Sequence, residues 1–187
     1  AGEDAAIEKT ILQSLTCLEL NSFMIVQPFK EEERQRYKLG WELSTNKNER
    51  INRALIEVKQ GFYAKKRFIL ETRFSMRRDV YANTSVWQIK DSLYTLNAPT
   101  GPRVAFREYD IVLYEGGIRK GVLIEMGVLR AYQGEGLAGV LNENALHIFQ
   151  LSGVSRVTVS VMGKGPNPFV AKLYLGLGFK PVKIVLA

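Results

Sequence analysis

The sequence holds one cysteine and one histidine in 187 residues, and no aspartate or glutamate follows Glu143. Each absence excludes something. Cys17 alone cannot close an intrachain disulfide, and with His147 far along the chain from it there is no Cys–His pair and no set of zinc ligands. Cys17 lies in an apolar stretch, Ile11 to Leu20, and reads as a buried structural thiol; such sparing use of cysteine suits a reducing cytoplasm. His147 falls inside a helical pattern and reads as a packed or surface histidine. No apolar run approaches the roughly 18 residues that would suggest a membrane span. The opening AGEDAAIEKT has neither the basic n-region nor the apolar h-region of a signal peptide, and the chain opens on Ala1 instead of methionine. No internal repeat, low-complexity segment or linker divides the sequence. It reads as one domain over 1–187, with a helical N-terminal extension over about 1–21.

Positive charge is what the chain has in excess. The formal net charge is +7, and the acid-free end carries Arg156, Lys164, Lys172, Lys180 and Lys183. That balance suits a phosphate-rich ligand and would equally suit nucleic acid. Between Lys65 and Arg78, basic residues alternate with Phe68, Leu70, Thr72 and Phe74. The simplest reading is a half-exposed strand with its polar face in water; a basic and aromatic nucleic-acid surface is the alternative.

The other elements follow from periodicity. Ile7, Ile11, Leu12, Leu15 and Leu18 predict a first helix, and Ser22 to Gln27 a short strand. Glu31 to Trp41 predicts a helix ending near Gly40, and Ile51, Leu55, Val58 and Phe62 predict another amphipathic helix. Val86–Leu96 and Val104–Leu113 read as strands around the turn Asn97 to Pro102.

The stretch from Gly121 to Leu151 carries the chemistry. An apolar run, Val122 to Leu129, predicts a buried strand; it passes through Gln133-Gly-Glu-Gly-Leu-Ala-Gly139 into an amphipathic helix. Glycines let the backbone approach a ligand, and the free N–H groups of a helix start favour an anion such as a pyrophosphate. Gly134-x-Gly136-x-x-Gly139 fits the dinucleotide-binding pattern. That pattern needs an acidic residue about 20 positions on for the ribose, and none stands there. Gln133-x-x-Gly136-x-Ala138 fits a second pattern, and downstream Asn167, Tyr174, Gly178 and Phe179 form a second signature after the strand Val154 to Met162. Together, from about Gly121 to Phe179, these resemble the GNAT superfamily of acyl-CoA-dependent N-acyltransferases.

The resemblance implies an α/β (α+β) GNAT-like fold: a mixed, mostly antiparallel sheet with a splayed parallel strand pair and helices on both faces. It implies acetyl-CoA as co-substrate. Main-chain N–H groups of Gly127, Val128 and Leu129 would hold the pantetheine arm in the gap facing Val157 to Met162. Those of Gly134, Gly136, Leu137 and Ala138 would hold the pyrophosphate, with Gln133 at its entrance. Asn167 would bind the arm or a water. Tyr174 would protonate the departing thiolate, packing alone giving no evident need of a tyrosine there. Glu125, the only carboxylate in the central strand, would be the base, its burial among Ile124, Met126 and Val128 raising its pKa. The short end after Phe179 leaves a sheet edge that another segment or a second subunit, as in a homodimer, would cover. The acceptor amine is not legible. The competing reading is a GNAT-like binding or scaffold protein without transfer activity, acting on nucleic acid.

Overall fold

The computed structural model describes residues 2–16, 24–26, 30–44, 49–60, 64–96, 101–159 and 168–181. Within them the chain runs α1 (Gly2–Thr16), β1 (Met24–Val26), α2 (Glu31–Tyr37), β2 (Gly40–Leu43), β3 (Arg50–Gln60), β4 (Ala64–Asp79), β5 (Thr84–Thr95), β6 (Arg103–Leu113), β7 (Arg119–Val128), α3 (Leu137–Leu151), β8 (Arg156–Val159) and α4 (Pro168–Gly176). The strands form one sheet in the order β1-β3-β4-β5-β6-β7-β8, and β2 also pairs with β3. Among the described residues every pairing is antiparallel except that of β7 with β8. A parallel pair needs a crossover, and α3 is that crossover. The mixed sheet with one parallel pair is the architecture that the sequence implied.

Alternation along the strands sorts the two faces. Phe68, Leu70 and Phe74 of β4, Trp87, Ile89 and Leu93 of β5, and Tyr109 and Ile111 of β6 point to one face. There they meet Ile7 and Ile11 of α1 and Val140, Leu141, Ala145, Ile148 and Phe149 of α3. Leu55 and Ile69 point to the other face and pack on Tyr37 of α2. Helices therefore cover both faces, α1 and α3 on one and α2 on the other.

A polar knot lies inside the larger core. The Asp91 carboxylate, fully buried, accepts from Thr72 Oγ1 at 2.7 Å, Tyr109 OH at 2.8 Å and Asn144 Nδ2 at 2.7 Å. Burial drives its pKa up from 3.8 to about 6 despite those three donors, and pushes the Tyr109 phenol well above its usual range.

Two expectations fail here. Ile51, Leu55 and Val58 belong to β3, not to a helix; Phe62 lies outside the described residues. The strand is paired at both edges and packed on both faces, so Ile51, Ala54, Leu55, Ile56 and Val58 are all buried. A run buried on both sides loses the period of two that marks a strand. Likewise the helix from Glu31 ends at Tyr37, because Lys38 takes a left-handed conformation at φ 51°, and Trp41 lies in β2.

Candidate active site

After β7 the chain makes one 3₁₀ turn, Arg130–Tyr132, and then the glycine turn. Gly134 at φ +81° and Gly136 at φ +80° occupy the left-handed region, which explains glycine at both. A Cβ at Gly134, Gly136 or Gly139 would meet nothing within 4 Å, so the space above the turn is open. Gly136 is the N-cap of α3; no side chain caps the helix, and its first turn holds no acid. The Val140 N–H donates to Gly136 O at 3.2 Å, so the N–H groups of Leu137, Ala138 and Gly139 stand ahead of the first helical bond. The positive end of the helix is thus bare, with open space at the turn before it.

Gln133 is exposed, and its Nε2 donates to Val128 O at 3.2 Å, bracing the turn. The neighbouring cation is Lys66, which the sequence did not nominate. Its Nζ lies 3.5 Å from Glu135 Oε2 and 4.6 Å from the centroid of the Tyr132 ring. Lys66 sits on β4, and only the strand order brings it to the turn.

Upstream, β7 is bulged. The register with β6 runs Tyr109↔Leu123 and then Glu108↔Glu125, leaving Ile124 as the extra residue. Among the described residues the parallel pairing with β8 covers Lys120–Leu123 against Arg156–Val159, up to that bulge. Residues 160–162, the rest of the predicted second strand, lie outside the described residues.

The bulge corrects two expectations. Glu125 is exposed, as is Ile124, so the burial expected to raise its pKa is not there. The extra residue puts both side chains on the face of the sheet opposite the larger core. Among the proposed arm-binding N–H groups, that of Leu129 is already used, donating to Val104 O at 2.9 Å. In an antiparallel ladder alternate residues donate to the same neighbour, so the Gly127 N–H is directed to β6 as well. Those of Met126 and Val128 face the other way, away from β6.

Tyr174 is buried at 6% exposure. Its spacing to Gly178 and Phe179 has a structural cause: the end of α4 is a Schellman motif. The Phe179 N–H donates to Tyr174 O at 3.0 Å, the Gly178 N–H to Leu175 O at 3.0 Å, and Gly178 has φ +94°. The Tyr174 and Phe179 rings meet edge to face at 5.5 Å. Packing therefore does call for an aromatic ring at Tyr174, contrary to expectation, but that contact does not use the hydroxyl. The hydroxyl accepts from Arg107 Nη1 at 2.7 Å. Arg107 points to the core face of the sheet, and its partner in register, Met126, does so too. Glu125 pairs with Glu108 on the opposite face. Tyr174 and Glu125 thus approach the end of the β7–β8 pairing from opposite sides of the sheet. Asn167 lies outside the described residues, as does Cys17.

Arg107 and Asn142 were not nominated either. The signal for Arg107 was available: a charged residue on the same phase of a strand as Tyr109, Ile111 and Leu113. Asn142, fully buried on α3, donates to Met126 Sδ at 3.5 Å.

The basic strand β4 is mostly neutralised. Lys65 pairs with Glu57, Lys66 with Glu135, Arg67 with Glu33, and Arg73 with Glu49 and Glu71. The polar face is not in water as expected: Phe68 to Thr72 are buried on both faces of the sheet, and the exposed Arg77 and Arg78 lie at the end of the strand. Among the described residues no cluster of ligands could hold a metal ion, and no helix is long and apolar enough to cross a membrane.

No protein-family model matches the chain, and no curated protein sequence matches it. Solved structures do. An acetyltransferase from Trypanosoma brucei is 22% identical with a TM-score of 0.46, over 54% of this chain and 67% of that one. The ribosomal-protein-alanine N-acetyltransferase of Brucella melitensis is 17% identical with a TM-score of 0.43, over 54% of this chain and 66% of its own. The structure of AAC(6')-Iy in complex with a CoA bisubstrate analogue is 16% identical with a TM-score of 0.43, over 54% of this chain and 67% of its own. The chain spans about two thirds of the length of these structures. The Trypanosoma brucei and Brucella melitensis proteins among these are acetyltransferases.

Proposed function

We propose that the chain is an acyl-CoA-dependent N-acyltransferase that moves an acetyl group from acetyl-CoA to a primary amine by direct attack. The observation that carries this reading is the open, uncapped start of α3 behind Gly134 and Gly136, at the end of a strand that is bulged at Ile124 and, among the described residues, paired in parallel only before that bulge. The bare N–H groups of Leu137, Ala138 and Gly139 fit a pyrophosphate, with Lys66 as a neighbouring cation. The outward N–H groups of Val128 and Met126 would hold the arm and polarise the thioester carbonyl. Glu125, exposed on one face, would take the amine proton directly or through water, and the Tyr174 hydroxyl, on the other, would protonate the thiolate. Beside Glu125 the sheet presents an open groove lined by Arg73, Gln88, Lys90, Glu108, Asp110 and Ile124, wide enough for an amine to approach. We place the chemistry in the cytoplasm.

The test is calorimetric titration of the purified protein with acetyl-CoA and separately with NAD, followed by thiol release against a panel of amines, polyamines, aminoglycosides and peptides. Acetyl-CoA binding with turnover on an amine is expected. NAD binding without acetyl-CoA binding would overturn the reading. Acetyl-CoA binding with no turnover, together with salt-sensitive binding to RNA or DNA, would make the chain a scaffold instead.

A further inference from the structure

Among the described residues Arg107 is the only lysine or arginine drawn fully into the core, at 1% exposure. A buried cation costs free energy unless an anion neutralises it. No carboxylate lies within ion-pair distance of this one among the described residues. Asp91 is its partner in register, but that carboxylate is turned to Thr72, Tyr109 and Asn144. Among the described residues the Nε and Nη2 donors of Arg107 have no partner. Its one polar contact among them is the bond from Nη1 to the Tyr174 hydroxyl at 2.7 Å, with the guanidinium carbon 5.7 Å from the ring centroid. Fixing a tyrosine ring needs no charge, since an apolar residue of similar volume would pack as well. What a charge adds is an electrostatic preference for an anion at the phenol oxygen.

We infer that Arg107 is a positioning residue for proton donation by Tyr174. The inference rests on the acyl-transfer reading and deepens it. Arg107 makes the Tyr174 oxygen an acceptor on one side, so the phenolic hydrogen is directed away from the guanidinium, towards the side where a thiolate would depart. In the transfer, the amine nitrogen bonds to the thioester carbon, the C–S bond breaks, and its electron pair goes to sulfur. Sulfur takes the Tyr174 proton, and the proton shed by the amine nitrogen leaves through the base to solvent. The phenolate, held by the unneutralised guanidinium, then regains a proton from solvent. Charge that develops beside a preorganised buried cation is stabilised without rearrangement.

The test compares Arg107→Met and Arg107→Lys, each alone and combined with Tyr174→Phe, in thiol-release kinetics with acetyl-CoA and an accepted amine. Thermal unfolding and acetyl-CoA titration report whether each variant is folded and binds. Arg107→Met is expected to lower kcat by roughly tens-fold while KM for acetyl-CoA stays within about twofold, and Arg107→Lys to recover part of the loss. In the Tyr174→Phe background Arg107→Met should cost little more, because the two residues serve one step. Should the methionine variant not fold, the lysine variant and its pairing with Tyr174→Phe give the same comparison. An unchanged kcat in a folded Arg107→Met, or an equal fractional loss with and without the Tyr174 hydroxyl, overturns the inference while leaving acyl transfer standing. A parent protein that binds no acyl-CoA removes the acyl-transfer reading, and this inference with it.

Discussion

Asn144 of α3 donates a 2.7 Å hydrogen bond to the buried carboxylate of Asp91 on β5, tying the helix that starts at the glycine turn to the middle of the sheet. The same carboxylate takes the Thr72 and Tyr109 hydroxyls, so one acid joins β4, β5, β6 and α3.

Burial makes that acid a source of pH dependence. Asp91 titrates near 6 in the fold against 3.8 unfolded, so the folded state holds the extra proton between those values. Stability conferred by this group is complete below the lower value and is lost as pH rises through the higher one, by roughly 3 kcal/mol at most. Burial shifts Asp110 and Glu143 in the same direction, while the Arg67 contact shifts Glu33 in the other. Those contributions cancel when the parent is compared with Asp91→Asn. Urea unfolding at pH 4.5 and 7 should show a fall in parent stability that the variant lacks. Equal pH slopes would refute the assignment.

Gly136→Asp should abolish acetyl-CoA binding in calorimetry. At φ +80° the new side chain is strained, and its carboxylate would stand against the phosphate. A Gly136→Asp protein that binds as tightly as the parent would move the site elsewhere.

Glu135 and Lys66 offer a gentler test of the same cradle. Lys66→Met should weaken acetyl-CoA by about three- to tenfold and flatten the salt dependence, and Glu135→Gln should strengthen it by removing an anion from the turn. Affinity unmoved by either change would mean that the phosphates do not pass Lys66.

Tyr174→Phe keeps the ring that packs on Phe179 but strips Arg107 of its one polar contact among the described residues. We expect about 1–3 kcal/mol of lost stability in thermal or urea unfolding, and turnover reduced by roughly tens-fold. Loss of stability with unchanged turnover would make the hydroxyl purely structural.

Two glycines should respond in opposite senses to alanine. A Cβ at Gly121 would lie 2.9 Å from the Phe149 ring, so Gly121→Ala should destabilise by about 1–3 kcal/mol. Gly139 sits in the first turn of α3 with open space around it, and Gly139→Ala should stabilise by roughly 0.5 kcal/mol. Matching melting temperatures would contradict both.

What the sequence made legible was local. β7, the glycine turn and α3 are contiguous, and their apolar period and glycines carry them without help. The same holds for Tyr174, Gly178 and Phe179, whose spacing is set within one helix end. β3 was misread because its burial comes from partners on both faces, which the local period does not report. Lys66 was missed because it meets Glu135 across 69 residues of chain. Glu125 was placed inside the sheet because its neighbours are apolar, and only the register with β6 reveals that a residue has been inserted just before it.

That inserted residue makes the stretch before the turn sensitive to length more than to chemistry. Substituting Ile124 would alter one side chain on an exposed surface. Deleting its codon would leave Glu125 opposite Glu108 and Met126 opposite Arg107, but in an unbroken ladder without the bend and added twist of the bulge. β7 would then run straight on from Leu123 into the stretch whose Met126 and Val128 N–H groups face away from β6. In a family of such chains, this segment should vary freely in letters while keeping a fixed count.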